Sequence, residues 1–162
     1  MNDESRRGFL TKAAIAGPAA VVLGATSTAA AAPTIPGRRV VPGAPAAPFS
    51  RAVILGDVAF VAGVVGRTEN SSDLTSPEFE PQCRQAFINL RASVEAAGST
   101  MQEVLKCTCF LTDVADFPAM NIIWRQFFVS GPPARSTVVV KQLVVPGARI
   151  EIDCVAALMP QR

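Results

Sequence analysis

One arginine in the last third of the chain stands where it could hold an anion. Arg135 directly follows the rigid turn that Pro132 and Pro133 predict, because each proline fixes φ near about −65° and removes a backbone donor. The β-branched residues after it predict a strand over 136–143. A guanidinium at the mouth of that strand suits a planar anion such as a carboxylate, which it can bind through two parallel hydrogen bonds. A solvated turn arginine is the alternative that the local sequence leaves open.

A carboxylate is the second candidate for chemistry. Glu151 lies on a predicted strand over 148–158, where Ile150 and Ile152 flank it. Because successive side chains of a strand point to opposite faces, Glu151 is predicted to face away from the isoleucines. A charge that faces solvent, or an ion pair between subunits, are the alternatives to a catalytic role.

The composition excludes several kinds of site. The chain has no histidine, which rules out Ser-His-Asp and Cys-His catalysis and any histidine-bound metal. Acid–base chemistry must therefore come from Asp, Glu, Lys, Cys or water. The net charge is only +2 and the basic residues are scattered, so a nucleic-acid partner is not expected. No metal site is predicted.

The four cysteines are predicted to be small buried apolar groups. Cys107 and Cys109 are two apart on one predicted strand, so their side chains point the same way and would bridge badly. A C-x-C pair without other ligands is a weak metal signal. Cys83 falls on a helical apolar stripe and Cys154 on the last strand. The sequence leaves the redox state of these thiols open.

The elements that must position these residues follow the order β-β-α-β-α-β-β. The predicted elements are strands 49–55 and 58–65, a helix 79–97, a strand 104–112, a second helix with its stripe at Met120, Ile123, Trp124 and Phe127, and strands 136–143 and 148–158. Trp124 is interpreted as core rather than as a ligand platform. Two helices cannot cover both faces of such a sheet, so both are expected on one face. A bare face rich in Val, Ile and Leu predicts a symmetric homo-oligomer.

The N-terminus carries the features of an export signal. Residues 5–12 read S-R-R-G-F-L-T-K, which matches the twin-arginine pattern, and an apolar stretch and four alanines at 29–32 follow. A twin-arginine signal peptide is predicted over 1–32, and a bacterial periplasmic or secreted protein is expected. Gly17, Pro18 and Gly24 interrupt the apolar stretch, so no stable membrane span is expected in the mature protein. A disordered Ala-rich tail is the alternative.

Residues 33–48 contain five prolines and are interpreted as an extended linker or a strand-edge lead-in rather than a helix, and the folded domain is predicted over 49–162. Six motifs stand out from about residue 45 onward: A-P-F-S-R-A-V at 47–53, V-A-G at 61–63, N-L-R-A-S-V-E-A-A-G at 89–98, F-L-T-D-V-A-D-F at 110–117, P-P-A-R-S-T at 132–137 and I-E-I-D-C-V-A at 150–156. In these motifs the chain resembles the RidA/YjgF family of enamine/imine deaminases.

The resemblance implies a fold, an assembly and an activity. The implied fold is a chorismate-mutase-like α/β (α+β) domain, assembled as a homotrimer with ligand sites in the clefts between subunits. The implied reaction is hydrolytic deamination of an enamine or imine that bears a carboxylate, giving a 2-oxo acid and ammonia without a metal or organic cofactor. The old family label of ribonuclease is disfavoured here, since the chain lacks histidine and a basic groove.

The resemblance also implies residue roles. Arg135 is expected to grip the substrate carboxylate, Glu151 to orient the attacking water, Asn121 to lie near the site and Gly63 to lie with its backbone against the ligand.

Three residues depart from the family pattern. Phe49 stands where the family often has tyrosine, and Ala62 and Val64 stand where typical members have serine and glutamine around the glycine. These three are expected to line a more apolar pocket for a larger or more hydrophobic substrate. The loss of their polar groups also fits an alternative, an exported trimer that binds a small carboxylate or a protein partner without catalysis.

Overall fold

The computed structural model of the chain describes residues 35–45, 47–68 and 71–159. The signal peptide predicted over 1–32 lies outside these residues. Among the described helices, none combines the length and the apolar character needed to cross a bilayer.

The described residues form one six-stranded sheet and two α-helices. The elements are β1 Arg39–Val41, β2 Ala52–Leu55, β3 Val58–Val65, α1 Phe79–Ala96, β4 Val104–Leu111, α2 Phe117–Phe127, β5 Ala134–Val139 and β6 Ile150–Ala157. The strands lie in the order β1-β2-β3-β6-β4-β5, and β4 with β5 is the parallel pair. The predicted mixed fold is confirmed, with one added edge strand, because residues 39–41 of the predicted lead-in pair with β2.

Both helices begin and end where local chemistry predicts. Pro81 lies in the first turn of α1, and Gly98 follows its end with a φ of 86°, a left-handed conformation that glycine adopts without strain. Before α2, the Asp113 side chain accepts a hydrogen bond from the Ala115 N–H at 2.8 Å, which caps the 3₁₀ turn that leads into the helix. Pro118 follows at the start of α2.

The core lies between the helices and one face of the sheet. Its strand residues include Ile54, Ile150 and Ile152, and α1 contributes Phe87 and Leu90. All four cysteines are buried and unbridged, which confirms the prediction that they are small core groups. Burial raises the pKa of Cys83 to about 12 and also raises the pKa of Cys109 to about 12. Both thiols therefore stay protonated and unreactive.

The other face of the sheet is apolar but differs from the prediction in composition. The isoleucines of the sheet, Ile54, Ile150 and Ile152, point into the core, and the uncovered face carries Val, Leu, Phe and two carboxylates. Strand register places there Val53, Leu55, Val58, Phe60, Phe110, Val138, Glu151, Asp153 and Val155. Phe60 on this face is 52% exposed and Leu55 is 43% exposed, so large apolar side chains remain uncovered in the single chain.

Four strands, β2, β4, β5 and β6, are shorter than the sequence predicts. The fifth strand pairs with β4 from Ala134 to Val139 and does not reach residue 143. Since β4 ends at Leu111, which pairs with Val139, residues 140–143 have no strand beside them. Likewise β2 begins at Ala52 rather than at residue 49.

Gln82 ties the start of α1 to two loops, and its removal should lower stability. Its side-chain amide donates to the Ser76 and Gly147 carbonyls at 2.9 and 3.0 Å and accepts from the Arg149 N–H at 2.9 Å. Replacement by leucine of similar volume leaves those backbone groups without partners. We expect Gln82→Leu to lower the free energy of unfolding by about 2–4 kcal/mol, measured by urea denaturation.

The matched control is Gln102→Leu, because Gln102 is an exposed glutamine. It should change the free energy of unfolding by less than about 0.5 kcal/mol. Equal stability of the two variants would contradict the assigned role of Gln82.

Candidate active site

Arg135 lies within β5 rather than at its mouth. The strand begins two residues earlier than predicted, because Ala134 already pairs with Lys106 of β4. Arg135 pairs with Cys107, a core residue, so its side chain points to the face of the sheet that the helices cover. The Arg135 side chain lies at one end of that face, beside α2.

Three side chains of α2 surround the guanidinium. Arg135 Nη2 donates a hydrogen bond to Asn121 Oδ1 at 2.7 Å. The guanidinium carbon lies 4.5 Å from the centre of the Trp124 ring and 5.6 Å from that of Phe117. The structure therefore brings Asn121 and Arg135 together, in the arrangement that the resemblance implied.

A cavity of ≈ 420 Å³ opens beside this arginine. Its lining consists of Leu111, Val114, Phe117, Arg135, Thr137 and Val139. Four of these six residues are apolar, so the walls are apolar around one positive charge. None of the three residues predicted to line an apolar pocket, Phe49, Ala62 and Val64, is among them.

Thr137 is a member of the site that sequence reasoning missed. It lies two residues after Arg135 on the same strand, so both side chains point to one face, and strand alternation could have identified it. Within the described part of the chain, Arg135 Nη1 and Thr137 Oγ1 are two of three buried side-chain polar atoms without a hydrogen-bond partner. Buried polar groups are normally paired, so unpaired ones gathered at one cavity indicate a place for a polar ligand.

Glu151 lies on the uncovered face of the sheet. Its neighbours Ile150 and Ile152 are buried, which confirms the predicted direction of its side chain. A Cβ on Gly63 would overlap Glu151 Oε1 and lie 3.0 Å from its Cδ, so the glycine leaves room for the carboxyl group. Burial, and then the nearby Asp153 carboxylate, raise the pKa of Glu151 above the ordinary value of a glutamate.

Arg135 and Glu151 do not meet within one chain. Glu151 pairs with Phe110 of β4, which pairs with Val138 of β5, three positions beyond Arg135. The backbones of Arg135 and Glu151 are two strands apart across the sheet and three residues apart along it, a separation of roughly 14 Å. Their side chains also point to opposite faces of the sheet. A site that uses both groups therefore needs a second copy of the chain.

The three residues that depart from the family pattern lie away from the Arg135 cavity. Phe49 is 62% exposed in the segment before β2. Ala62 is partly buried, and its N–H donates to the Arg51 carbonyl at 3.0 Å. Val64 was predicted to line the pocket, but its side chain packs against the core of its own chain. A register shift between Val61 and Val64 turns it that way.

Another cavity, of ≈ 400 Å³, lies under the loop 141–149. Two cationic residues line it: Lys141, which is exposed so that solvent screens its charge, and Arg149, which is paired with Asp116 through contacts of 2.9 and 3.2 Å. The charge of Arg149 is therefore neutralised, whereas that of Arg135 has only neutral partners. The Arg135 cavity is the better candidate for an anionic ligand.

Comparison with known proteins shows the family to which the chain belongs. Residues 41–158 match the sequence profile of the family described as endoribonuclease L-PSP. The chain belongs to this family, which is also called RidA/YjgF. The match takes in β2 to β6 and both helices, so the resemblance seen in the sequence motifs is confirmed at the level of the family.

Individual members show how close the similarity is. The 2-iminobutanoate/2-iminopropanoate deaminase of Dermatophagoides farinae is 36% identical over 114 residues, which are 70% of this chain and 88% of that protein. A Rid-family protein of unknown function, YyfA from Yersinia pestis, superposes with a TM-score of 0.70 at 31% identity, covering 75% of this chain and 99% of that one. Escherichia coli TdcF, solved with bound serine, has a TM-score of 0.66 at 30% identity over 74% of this chain and 94% of its own.

Proposed function

We propose that the protein is a hydrolytic deaminase of enamines and imines that carry a carboxylate. The observation that supports this most is Arg135, a half-buried arginine beside an apolar cavity whose contacts, with Asn121, Trp124 and Phe117, are all neutral. Such a charge suits a substrate carboxylate. The name of the mite relative, an iminobutanoate/iminopropanoate deaminase, supports the same reaction class.

The proposed reaction uses water as its only co-substrate. Arg135 binds the carboxylate and thereby fixes the position of the adjacent C=N carbon. The Glu151 carboxylate accepts a proton from a water molecule as the water oxygen bonds to that carbon and the C=N electron pair moves to nitrogen. That proton then passes to the nitrogen and gives a carbinolamine. The hydroxyl proton of the carbinolamine next passes to the nitrogen as its C–O bond becomes a carbonyl, the C–N bond breaks, and ammonia and a 2-oxo acid leave. Because such imines also hydrolyse unaided, positioning and modest electrostatic stabilisation are sufficient.

We further propose a homotrimer in which Arg135 of one copy faces Glu151 of the next. The two groups lie on opposite faces of one sheet, and the face with Glu151 exposes large apolar side chains such as Phe60. A closed ring of heterologous contacts would cover that face and complete each site at the same time. Sedimentation equilibrium of the purified protein tests the number of copies.

The cavity walls support a substrate with an apolar side chain. Val114, Phe117 and Val139 are exposed at 69%, 39% and 53%, and they line the space beside the anchor. Burial of an apolar substituent against them should stabilise the bound substrate by about 0.8 kcal/mol per buried CH₂ group. A larger apolar imino acid is therefore the proposed substrate, rather than one with a polar side chain.

The experiment that tests the proposal generates imino acids in the cuvette with an amino-acid oxidase and follows their decay. The wild-type protein should accelerate hydrolysis of the imines of leucine and alanine, with the higher kcat/KM for the leucine imine. No acceleration with any imino acid would overturn the deaminase proposal. A higher kcat/KM for the serine imine would overturn only the proposed preference.

A second candidate is a protein that binds small carboxylates without turnover. The arginine, Asn121 and the cavity are complete in a single chain, so binding does not need Glu151. Isothermal titration with 2-oxo acids, run beside the decay assay, separates the two. Binding without acceleration would favour this candidate over the enzyme.

The pH dependence of the reaction should report on Glu151. A base acts only when ionised, and the pKa of Glu151 is raised by burial and then by Asp153. The rate should therefore fall with decreasing pH already above the ordinary pKa of a glutamate. Asp153→Asn removes the like charge and should move this acidic limb of kcat/KM to lower pH.

The control for this shift is Asp57→Asn, because Asp57 is an exposed carboxylate in the turn between β2 and β3. It should leave the pH profile unchanged. An acidic limb that is identical in wild type and Asp153→Asn would contradict the role of Glu151 as the base.

We also propose export through the twin-arginine route, on the basis of the S-R-R-G-F-L-T-K motif at residues 5–12. In a bacterial host, the wild-type chain should reach the periplasm, and the double substitution Arg6→Lys and Arg7→Lys should retain it in the cytoplasm. Periplasmic accumulation of both forms would contradict this route.

A further inference from the structure

The arginine at the cavity rests on a platform made by one face of α2. Its three contacts, Phe117, Asn121 and Trp124, are spaced four and three residues apart. Side chains at this spacing lie on one side of a helix. A single helix therefore contacts the guanidinium through two aromatic rings and through one hydrogen bond to Nη2. The ring of Trp124 is the nearer of the two aromatic contacts.

Trp124 itself has little freedom to move. It is 7% exposed, its ring packs edge-on against Phe87 at 5.9 Å, and it lies 4.4 Å from the ring of Phe128. The sequence interpretation of Trp124 as a core residue is therefore correct for its packing. Its remaining face, however, is turned to the Arg135 guanidinium at 4.5 Å, within the range of a cation–π contact.

The chemistry of this platform is unusual for a half-buried arginine. In the described part of the chain, the one side-chain ion pair joins Arg149 and Asp116, and no carboxylate lies within 4.0 Å of Arg135. A carboxylate partner would fix the arginine equally well, but it would also neutralise the charge. Two ring faces and an amide oxygen hold the cation while leaving its charge available to an incoming anion.

We propose that Trp124 is a positioning residue for the carboxylate anchor. Its ring fixes the plane of the Arg135 guanidinium, so that the group meets the substrate carboxylate without first losing side-chain freedom. This inference rests on the proposed function, since the ligand of Arg135 is taken to be a carboxylate. It adds that the chain's single tryptophan senses the occupancy of the anchor.

The first test compares two variants of Trp124 and one control variant with the wild type. The measurements are steady-state kinetics with the alanine imine and isothermal titration with pyruvate. Trp124→Leu removes the ring face, and its KM and its Kd for pyruvate should both rise about tenfold, the order expected for loss of a desolvated cation–π contact. Its kcat should stay within about twofold, because the carboxylate is held equally in the ground and transition states. Trp124→Phe restores a weaker ring and should raise KM only about threefold.

The matched control is Phe127→Leu. Phe127 stacks on Phe87 at 4.9 Å in the same aromatic cluster but belongs neither to the cavity nor to the platform. It should lower the melting temperature as a core substitution does and leave KM unchanged. An equal KM in Trp124→Leu and Phe127→Leu would overturn the proposal.

A second test needs no substitution at Trp124. Titration of the wild type with pyruvate should shift or quench tryptophan emission with the Kd found by calorimetry, and Arg135→Ala should abolish the response. Calorimetric binding with unchanged emission would overturn the proposal. If the wild type neither binds pyruvate nor accelerates imine hydrolysis, the proposed function fails instead, which keeps the two failures distinct.

Discussion

Arg135→Ala is expected to lower kcat/KM for imine hydrolysis about 100- to 1,000-fold. The reason is the loss of charge-assisted hydrogen bonds to the substrate carboxylate, each worth about 1.5–3 kcal/mol. Arg135→Lys keeps the charge but not the planar fork, so its activity should lie between those of Arg135→Ala and wild type. The measurement is the initial rate of imine decay over a range of substrate concentrations.

The control is Arg125→Ala, because Arg125 is an exposed arginine in the last turn of the same helix α2. It removes one positive charge from the same region and should leave kcat/KM within about twofold, as expected for a surface substitution. Sedimentation of Arg135→Ala should give the same oligomer as wild type. Near-normal activity of Arg135→Ala in an intact oligomer would show that the substrate carboxylate binds elsewhere.

Mixed oligomers of two inactive variants are expected to regain activity. Arg135→Ala and Glu151→Gln should each be nearly inactive alone, since every site then lacks one of its two groups. When the two chains are unfolded together and refolded as a mixture, random assembly in a closed ring leaves about one quarter of the sites with both native groups. The activity of the mixture should therefore approach about one quarter of the wild-type value.

The arrangement of the two groups in the sheet makes this test decisive. Arg135 and Glu151 face opposite sides of one sheet, so recovery can only come from a site between two copies. The two variants refolded separately and then mixed serve as the control and should stay inactive until subunits exchange. Mixed oligomers that form, as seen by native mass spectrometry, and yet show no activity would contradict the shared site.

The local sequence was sufficient to predict most of the fold. The helical stripe from Cys83 to Val94 and the stop at Gly98 predict α1, and the alternation around Ile150 and Ile152 predicts both β6 and the direction of Glu151. These features depend on periodicity and turn chemistry, which act over a few residues. The edge strand β1 was not predicted, because its three residues are stabilised as a strand by pairing with β2.

The site was only partly predictable. The P-P-A-R-S-T motif singled out Arg135, and the resemblance brought in Asn121, which does bond to it. The apolar wall at Val114 and Phe117 was missed, since its role depends on which elements meet at the cavity. Thr137 was missed although strand alternation puts it on the same face as Arg135. Val64 was assigned to the pocket, but the irregular register of β3 turns it to the core.

The sequence by itself determined the order of elements, the candidate anchor and the candidate base. The tertiary structure alone decided that Arg135 and Glu151 lie on opposite faces of the sheet and that Trp124 lies beneath the guanidinium. The physical reason is that strand register and helix packing join residues that are distant in the chain. No local pattern records whether two such residues share a face, whereas hydrogen-bonded pairing of the strands settles it.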